Sequence, residues 1–136
     1  MKHLLTLLLF ISTLVFANEN YSEKIHTLIT SNVEYPKTAN RRGWEGQVTL
    51  KLDIFKDGNL EPRAMKILED LEYAEGRHIY VNFDIFIDKS SGYLLLDKAA
   101  VLAVGKSLPF PKFPNELEDN SITFIVPINF TLRKKN

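Results

Sequence analysis

Three stretches of the chain alternate strictly between apolar and polar residues. An apolar residue at every second position places all apolar side chains on one face of a strand, which is typical of a half-buried β-strand. The pattern predicts strands over residues 47–55, His78–Ile87 and 121–132. The apolar positions are Val48, Leu50, Leu52 and Ile54 in the first stretch, Ile79, Val81, Phe83, Ile85 and Ile87 in the second, and Ile122, Phe124, Val126, Ile128, Phe130 and Leu132 in the third.

Two other segments have the spacing of helices. Residues 20–31 carry one apolar stripe, which predicts an amphipathic helix that covers a sheet. The segment Gly92–Val104 is apolar almost throughout, which indicates a mostly buried helix. Ser90 or Ser91 is its predicted cap, and Gly105 its predicted end. The stripe of the first helix consists of Tyr21, Ile25, Leu28 and Ile29.

The pair Asp57-Gly58 predicts a hairpin turn after the first strand. The return strand is then expected over Leu60–Leu68, with Pro62 near its start, where a missing N–H does little harm. The order of elements is helix, strand, strand, strand, helix, strand. This order predicts an α+β fold with an antiparallel sheet of three to four strands and two helices packed on one face.

The N-terminus has the features of a secretory signal peptide. Lys2 and His3 precede the apolar run Leu4–Phe16, and small or modest residues stand where a signal peptidase cleaves. The run is shorter than the roughly 20 residues of a membrane-spanning helix. We therefore expect a cleaved signal over residues 1–17 and an exported domain over residues 18–136 with no membrane span. An uncleaved anchor is the alternative.

Charge and composition narrow the function classes further. The chain has 17 lysines and arginines and 17 aspartates and glutamates, so its formal net charge is zero. It therefore lacks the positive charge that is typical of a nucleic-acid-binding protein. The chain has no cysteine, which excludes disulfides and thiolate chemistry. His26 and His78 have no partner at metal-ligand spacing. No catalytic, cofactor-binding or metal-binding motif stands out, and we expect a protein that is not an enzyme and needs no cofactor.

Several short motifs follow one another along most of the chain. They are Tyr35-Pro36, Ala39, Gly43-x-x-Gly46-x-Val48, Asp57-Gly58, the run from Ser90 to Ala100, the run from Pro109 to Pro114, and the run from Phe124 to Phe130. In this order and near these spacings they resemble the C-terminal domain of TonB, the periplasmic module that binds outer-membrane transporters.

The resemblance implies a protein-binding site. Domains of this family capture a short transporter segment, which adds as a strand to an exposed sheet edge. Tyr35 and Pro36 match the motif that meets the partner, and Arg41 and Arg42 are candidate contacts by position and charge. The last strand is the candidate edge, with Phe124, Val126, Ile128 and Phe130 as its candidate residues. The implied partner is an outer-membrane TonB-dependent transporter or another envelope protein in the periplasm, and a homodimer is left open.

Two departures from the family keep alternatives open. The chain shows a cleavable-looking signal and no proline-rich spacer, so we expect an interaction module without its own anchor. A membrane-anchored energy transducer of TonB or TolA type, and a small-ligand protein or enzyme on the same fold, are the other interpretations.

An extra segment at about residues 69–89 contains the predicted strand His78–Ile87. We hypothesise that this strand covers the edge that a transporter segment would use.

Overall fold

The fold is described from a computed structural model, which describes residues 2–133, with side chains from residue 15 onward. Four helices, three strands and one short 3-10 turn follow one another in this part of the chain. They are α1 (Lys2–Asn32), α2 (Lys37–Arg42), β1 (Gly46–Phe55), α3 (Pro62–Tyr73), the 3-10 turn Asp84–Phe86, β2 (Ile87–Lys89), α4 (Leu94–Ser107) and β3 (Ser121–Phe130).

The two strands with the clearest alternation form the centre of the fold. β1 and β3 pair antiparallel over their whole length, from Gly46 opposite Phe130 to Phe55 opposite Ser121. β2 pairs with the other side of β1, which gives a three-stranded sheet in the order β2-β1-β3. The predicted antiparallel α+β fold is therefore confirmed. The apolar residues of β1 and β3 that face the core are Val48, Leu50, Leu52, Ile54, Phe124, Val126, Ile128 and Phe130, all of them buried.

Helices α1 and α4 cover one face of this sheet. α1 contacts β3, α4 contacts β1, and the two helices contact each other. Asn32 of α1 donates a hydrogen bond from Nδ2 to Ser107 Oγ of α4 at 2.9 Å, which ties their C-terminal ends together. On the opposite face most side chains of β1 and β3 are exposed. β3 therefore lies at one side of the sheet with a helix above it.

α1 is longer than the helix predicted over residues 20–31. It begins at Lys2, and the expected cleavage point after residue 17 falls inside it. The buried stripe is in the predicted place, because Tyr21, Ile25 and Ile29 are at most 3 % exposed. The signal peptide over residues 1–17 stays a prediction.

The predicted return strand over Leu60–Leu68 is wrong, because this region starts helix α3. Pro62 is the first helical residue, where its fixed φ suits a helix and its missing N–H leaves nothing unsatisfied. Ala64, Leu68 and Leu71 are buried at helical spacing against α4. The helical spacing and the proline were the signals that the hairpin interpretation overlooked.

The predicted strand His78–Ile87 is also wrong. Most of this segment has no ladder partner, and only its last residue belongs to β2. Phe83 and Phe86 are buried at a spacing of three, which suits the 3-10 turn, whereas Ile79 and Ile85 are exposed. Alternation alone cannot form a strand where no free partner strand lies alongside.

The hypothesis that the predicted strand His78–Ile87 covers the binding edge is also wrong. Within the region that the structure describes, the segment at about residues 69–89 meets the sheet through β2, on the side of β1 that faces away from β3. It forms no strand beside β3.

Serines do stabilise the turn before α4, although by a different geometry from a simple cap. The N-cap position is Tyr93, whose side chain makes no capping bond, and Ser91 Oγ accepts a hydrogen bond from the Tyr93 amide at 3.1 Å. The buried carboxylate of Asp97 accepts hydrogen bonds from the Ser91 amide at 2.9 Å and from Ser91 Oγ at 2.7 Å. The helix continues past Gly105 and ends at Ser107.

Candidate protein-binding edge

The outer side of β3 has backbone groups that point away from β1. Pro127 shows which residues these are, because its carbonyl accepts a hydrogen bond from His26 Nε2 of α1 at 3.0 Å, and because a proline has no N–H to give to β1. Backbone direction alternates along a strand. The residues whose backbone groups point in the same direction as those of Pro127 are Ser121, Thr123, Ile125 and Asn129. We call the outward N–H and carbonyl groups of these four residues, together with the Pro127 carbonyl, the free edge.

Side-chain pairs across the sheet support this assignment. Side chains approach each other more closely at the pairs that exchange no backbone hydrogen bonds. The Thr123 hydroxyl donates a hydrogen bond to the Asp53 carboxylate, and the Asn129 side chain accepts one from Gln47 Nε2 at 2.8 Å. The two residues of each pair lie directly opposite each other in the register of β1 and β3. Thr123 and Asn129 therefore aim their backbone groups outward, as Pro127 does.

The free edge is unpaired along most of its length. In the described part of the chain, His26 is the group bonded to it, and no backbone partner lies beside the amides of Thr123 and Ile125. β3 also carries no charged side chain. Edge strands usually avoid unwanted pairing through charged side chains, bulges or a covering element. In β3 the edge is interrupted at Pro127, which has no N–H and whose carbonyl is bonded to His26. The outward backbone groups of Ser121–Ile125 therefore have no backbone partner among the described residues.

A groove of about 470 Å³ runs between residues 18–26 of α1 and the free edge. Its floor is formed by Ile125, Val126 and Pro127, and its wall by polar residues of α1. Ile125 is half exposed, and its side chain points to the face without helices because side chains alternate along the strand. The wall residues are Asn18, Glu19, Ser22, Glu23 and His26.

Tyr35 lies at the C-terminal end of β3. Its ring packs edge-on against Phe130 with 5.4 Å between the ring centroids, and its hydroxyl donates a hydrogen bond to the Trp44 carbonyl. Burial, and secondarily the nearby Glu45 carboxylate, raise the pKa of the Tyr35 hydroxyl above its ordinary value. The hydroxyl is therefore a neutral donor that fixes the turn between α2 and β1.

The other candidates from the Tyr-Pro region lie close by. Pro36 is the N-cap of α2, and Arg41 and Arg42 are its exposed last residues. The Arg42 guanidinium lies 5.2 Å from the centroid of the Trp44 ring, and that ring stacks on Tyr93 at 4.8 Å. These side chains form a surface of cations and aromatic rings beside the end of β3.

The structure thus brings together Tyr35 and Phe130, but it separates the other strand candidates from Tyr35. Phe124 lies towards the start of β3, with its ring centroid 5.4 Å from that of Tyr21. The side chains of Phe124, Val126, Ile128 and Phe130 point into the core, so only their strand's backbone is available to a partner. Their role, like that of Tyr35, Pro36, Arg41 and Arg42, stays a prediction.

The candidate site residues named from the sequence did not include those that shape the edge. Ile125 and Pro127 occupy the exposed positions of the alternating last strand, and this alternation was enough to find them. His26, Glu19 and Glu23 lie on α1 beside the strand, which requires knowledge of how α1 sits on the sheet. No local sequence pattern predicts how α1 sits on the sheet.

The described residues contain no group of three or more histidines, aspartates or glutamates placed to hold a metal ion. None of the helices, as far as they are described, combines the length and the apolar character that crossing a membrane requires.

Comparison with known proteins shows which proteins the chain is similar to. No protein-family model matches the chain. The TonB2 protein of Pseudomonas aeruginosa is 34% identical to it over 100 residues, which are 73% of this chain and 28% of that protein. The chain therefore matches less than a third of the length of this relative.

Solved structures agree with the sequence match. An NMR structure of the TonB C-terminal domain of Helicobacter pylori is similar in fold, with a TM-score of 0.57 over 85% of this chain and 84% of that chain at 23% identity. A shorter form of the same domain gives a TM-score of 0.51 over 85% of this chain and 97% of that chain at 26% identity. With its free β3 edge, its helices on one face and these similarities, the chain is a TonB C-terminal-domain-like protein.

Proposed function

We propose that the protein is a periplasmic interaction module that binds an extended segment of an outer-membrane TonB-dependent transporter, or of another envelope protein, by strand addition to β3. The observation that carries the proposal is the unpaired, uncharged free edge beside a groove. In β-augmentation, main-chain hydrogen bonds supply affinity and flanking pockets supply selectivity. Both parts are available on this side of the sheet.

The strength of such binding follows from the groups on the edge. Each net hydrogen bond contributes about 0.5–1.5 kcal/mol. Ser121, Thr123 and Ile125 each present one outward N–H and one outward carbonyl. A strand that pairs with these three residues makes only a few such bonds, so we expect weak and reversible binding that the groove and the surface around Tyr35 strengthen.

Strand addition predicts a specific effect of proline at Ile125. The substitution Ile125→Pro removes an N–H from the free edge without removing a hydrogen bond to β1, because the Ile125 amide points outward. We expect the affinity for transporter-derived peptides to fall about fivefold or more, which corresponds to one lost hydrogen bond. The matched control Ile125→Val keeps both the amide and the branched side chain and should bind as the original protein does.

The measurement is an NMR titration of the purified, isotope-labelled protein. The probes are synthetic peptides that cover extended segments of TonB-dependent transporters from the same cell. We expect the largest amide shifts at Thr123 and Ile125. Shifts confined to other surfaces, or equal binding by the proline and valine variants, would contradict strand addition to β3.

The second candidate function is a membrane-anchored energy transducer that keeps its N-terminus. Its starting point is that helix α1 runs without a break from Lys2 to Asn32 through the expected cleavage point, so a retained N-terminal segment would continue the same helix. N-terminal sequencing of the protein isolated from cells separates the two candidates. A mature N-terminus at Asn18 supports the exported module, and an N-terminus at Met1 supports the anchored form.

A further inference from the structure

The wall of the groove beside β3 is acidic. Glu19, Glu23 and His26 are spaced so that all three lie along one side of α1, and they line the same groove as Ile125 and Pro127. His26 is bonded to the Pro127 carbonyl. The two carboxylates therefore stand over the part of the groove next to Ile125, on the N-terminal side of that contact.

Neither carboxylate is in an ion pair among the residues whose side chains are described. The ion pairs in that region of the chain join Lys66 to Asp70, Lys98 to Glu75 and Lys106 to Glu34, and none involves Glu19 or Glu23. No lysine or arginine lines the groove. Lys24, next to Glu23 in the helix, lines neighbouring depressions beside Pro111, and Glu23 also lines one of them. Like charges one helical turn apart repel each other, so a cation in the groove relieves a repulsion.

An added strand would bring side chains to this wall at regular intervals. Successive side chains of a strand point to opposite faces of the sheet. Every second side chain of a strand paired with Ser121–Ile125 therefore points to the face that α1 covers, beneath Glu19 and Glu23. The remaining side chains point to the face without helices.

The contact between His26 and Pro127 limits how far the added strand can pair. Pro127 offers no N–H, and its carbonyl is already the acceptor for His26 Nε2 at 3.0 Å. A strand that pairs continuously beyond Ile125 would lose a donor and would have to displace the histidine. The favourable stretch is consequently short and lies next to the acidic wall.

We propose that Glu19 and Glu23 select the bound segment: the groove takes a short extended peptide that places a lysine or arginine side chain on the face covered by α1. This inference rests on the proposed strand addition to β3 and specifies the partner's chemistry. Both carboxylates are exposed, and exposed ion pairs contribute little. We expect a preference of about two- to fivefold for a basic over an acidic residue at that position, which corresponds to an exposed ion pair.

The test uses two synthetic peptides of a transporter segment that differ only in one groove-facing residue, lysine in one and glutamate in the other. Dissociation constants are measured by NMR titration with the original protein and with Glu19→Lys/Glu23→Lys. The original protein should prefer the lysine peptide, and the preference should shrink at high salt because ions screen exposed charges. The double variant should prefer the glutamate peptide.

The matched control is Glu69→Lys/Glu72→Lys, which makes the same change of net charge on the exposed side of α3. It should keep the preference of the original protein. If the α1 variant keeps the original preference, or if both double variants change it equally, the inference is wrong, although the β3 amides still shift and strand addition stands. If neither peptide shifts the amides of Thr123 and Ile125, strand addition itself fails, and the inference with it.

Discussion

At the scale of single residues, the tightest constraint is at Gly58. Its φ is +89°, and a Cβ placed on it would lie 1.9 Å from the Phe110 carbonyl oxygen. The Phe110 amide also donates a hydrogen bond to the Gly58 carbonyl at 2.9 Å. The turn after β1 therefore needs glycine both for its left-handed conformation and for the close approach of the proline-rich segment that leads to β3.

We expect Gly58→Ala to destabilise the protein more than Gly76→Ala. Gly76 also has a positive φ, +73°, but a Cβ there meets nothing within 4 Å. The left-handed conformation costs an alanine about 1–2 kcal/mol at either position, and the clash with Phe110 adds to this only at Gly58. Urea unfolding of the two variants measures the difference. Equal losses would mean that the segment at Phe110 moves aside freely.

At the scale of elements, β1 and β3 could be predicted from the sequence because each buries every second side chain over its full length. α3 and the segment before β2 could not be assigned in the same way. In α3 the proline at position 62 and the spacing of Ala64, Leu68 and Leu71 outweigh the hairpin signal at Gly58. In His78–Ile87 the alternation is real, but the strand partner that it requires is missing from the described chain.

The candidate site was predictable only in part for a related reason. The exposed positions of β3 follow from alternation, and the Tyr35 region follows from motif order. Which strand side is free depends on the order β2-β1-β3, and the acidic wall depends on how α1 crosses β3. Contacts between elements distant in sequence decide both features, and a local pattern cannot encode them.

Hydrogen exchange of β3 tests the assignment of its free edge. In the unbound protein we expect slow exchange for the amides of Phe124, Val126 and Ile128, which point to β1, and fast exchange for Thr123 and Ile125, which point outward. A bound peptide should slow the two outward amides. Uniform protection along β3 without a peptide would show that the edge is already paired.

At the scale of the whole molecule, α1 is anchored along the length of β3. Near the start of the strand Tyr21 packs against Phe113 and Phe124, with ring centroids 5.0 and 5.4 Å away, and at its end Tyr35 packs against Phe130. The Tyr21 hydroxyl donates a hydrogen bond to the Pro111 carbonyl at 2.6 Å. With α1 held through Tyr21, through His26 on the Pro127 carbonyl and through Asn32 on Ser107, the groove exists before any partner arrives.

The anchoring of α1 predicts a loss of stability at high pH. Burial raises the pKa of Tyr21 from 10.0 to about 12 in the folded protein. The unfolded protein therefore releases this proton first, so the contribution of Tyr21 is complete below pH 10 and declines as the pH rises towards 12. The difference in unfolding free energy between the original protein and Tyr21→Phe should shrink over this window in urea titrations. A constant difference would contradict the burial of the hydroxyl.

The position of the extra segment has a practical consequence for all of these experiments. Its exposed loop, with Arg77 stacked on Tyr73 and Tyr80 81% exposed, joins α3 to the turn before β2 on the side of the sheet away from β3. Exposed loops of this kind tolerate added sequence. A tag or a dye placed between Arg77 and Tyr80 should let the protein be immobilised or followed with its binding edge turned towards the partner.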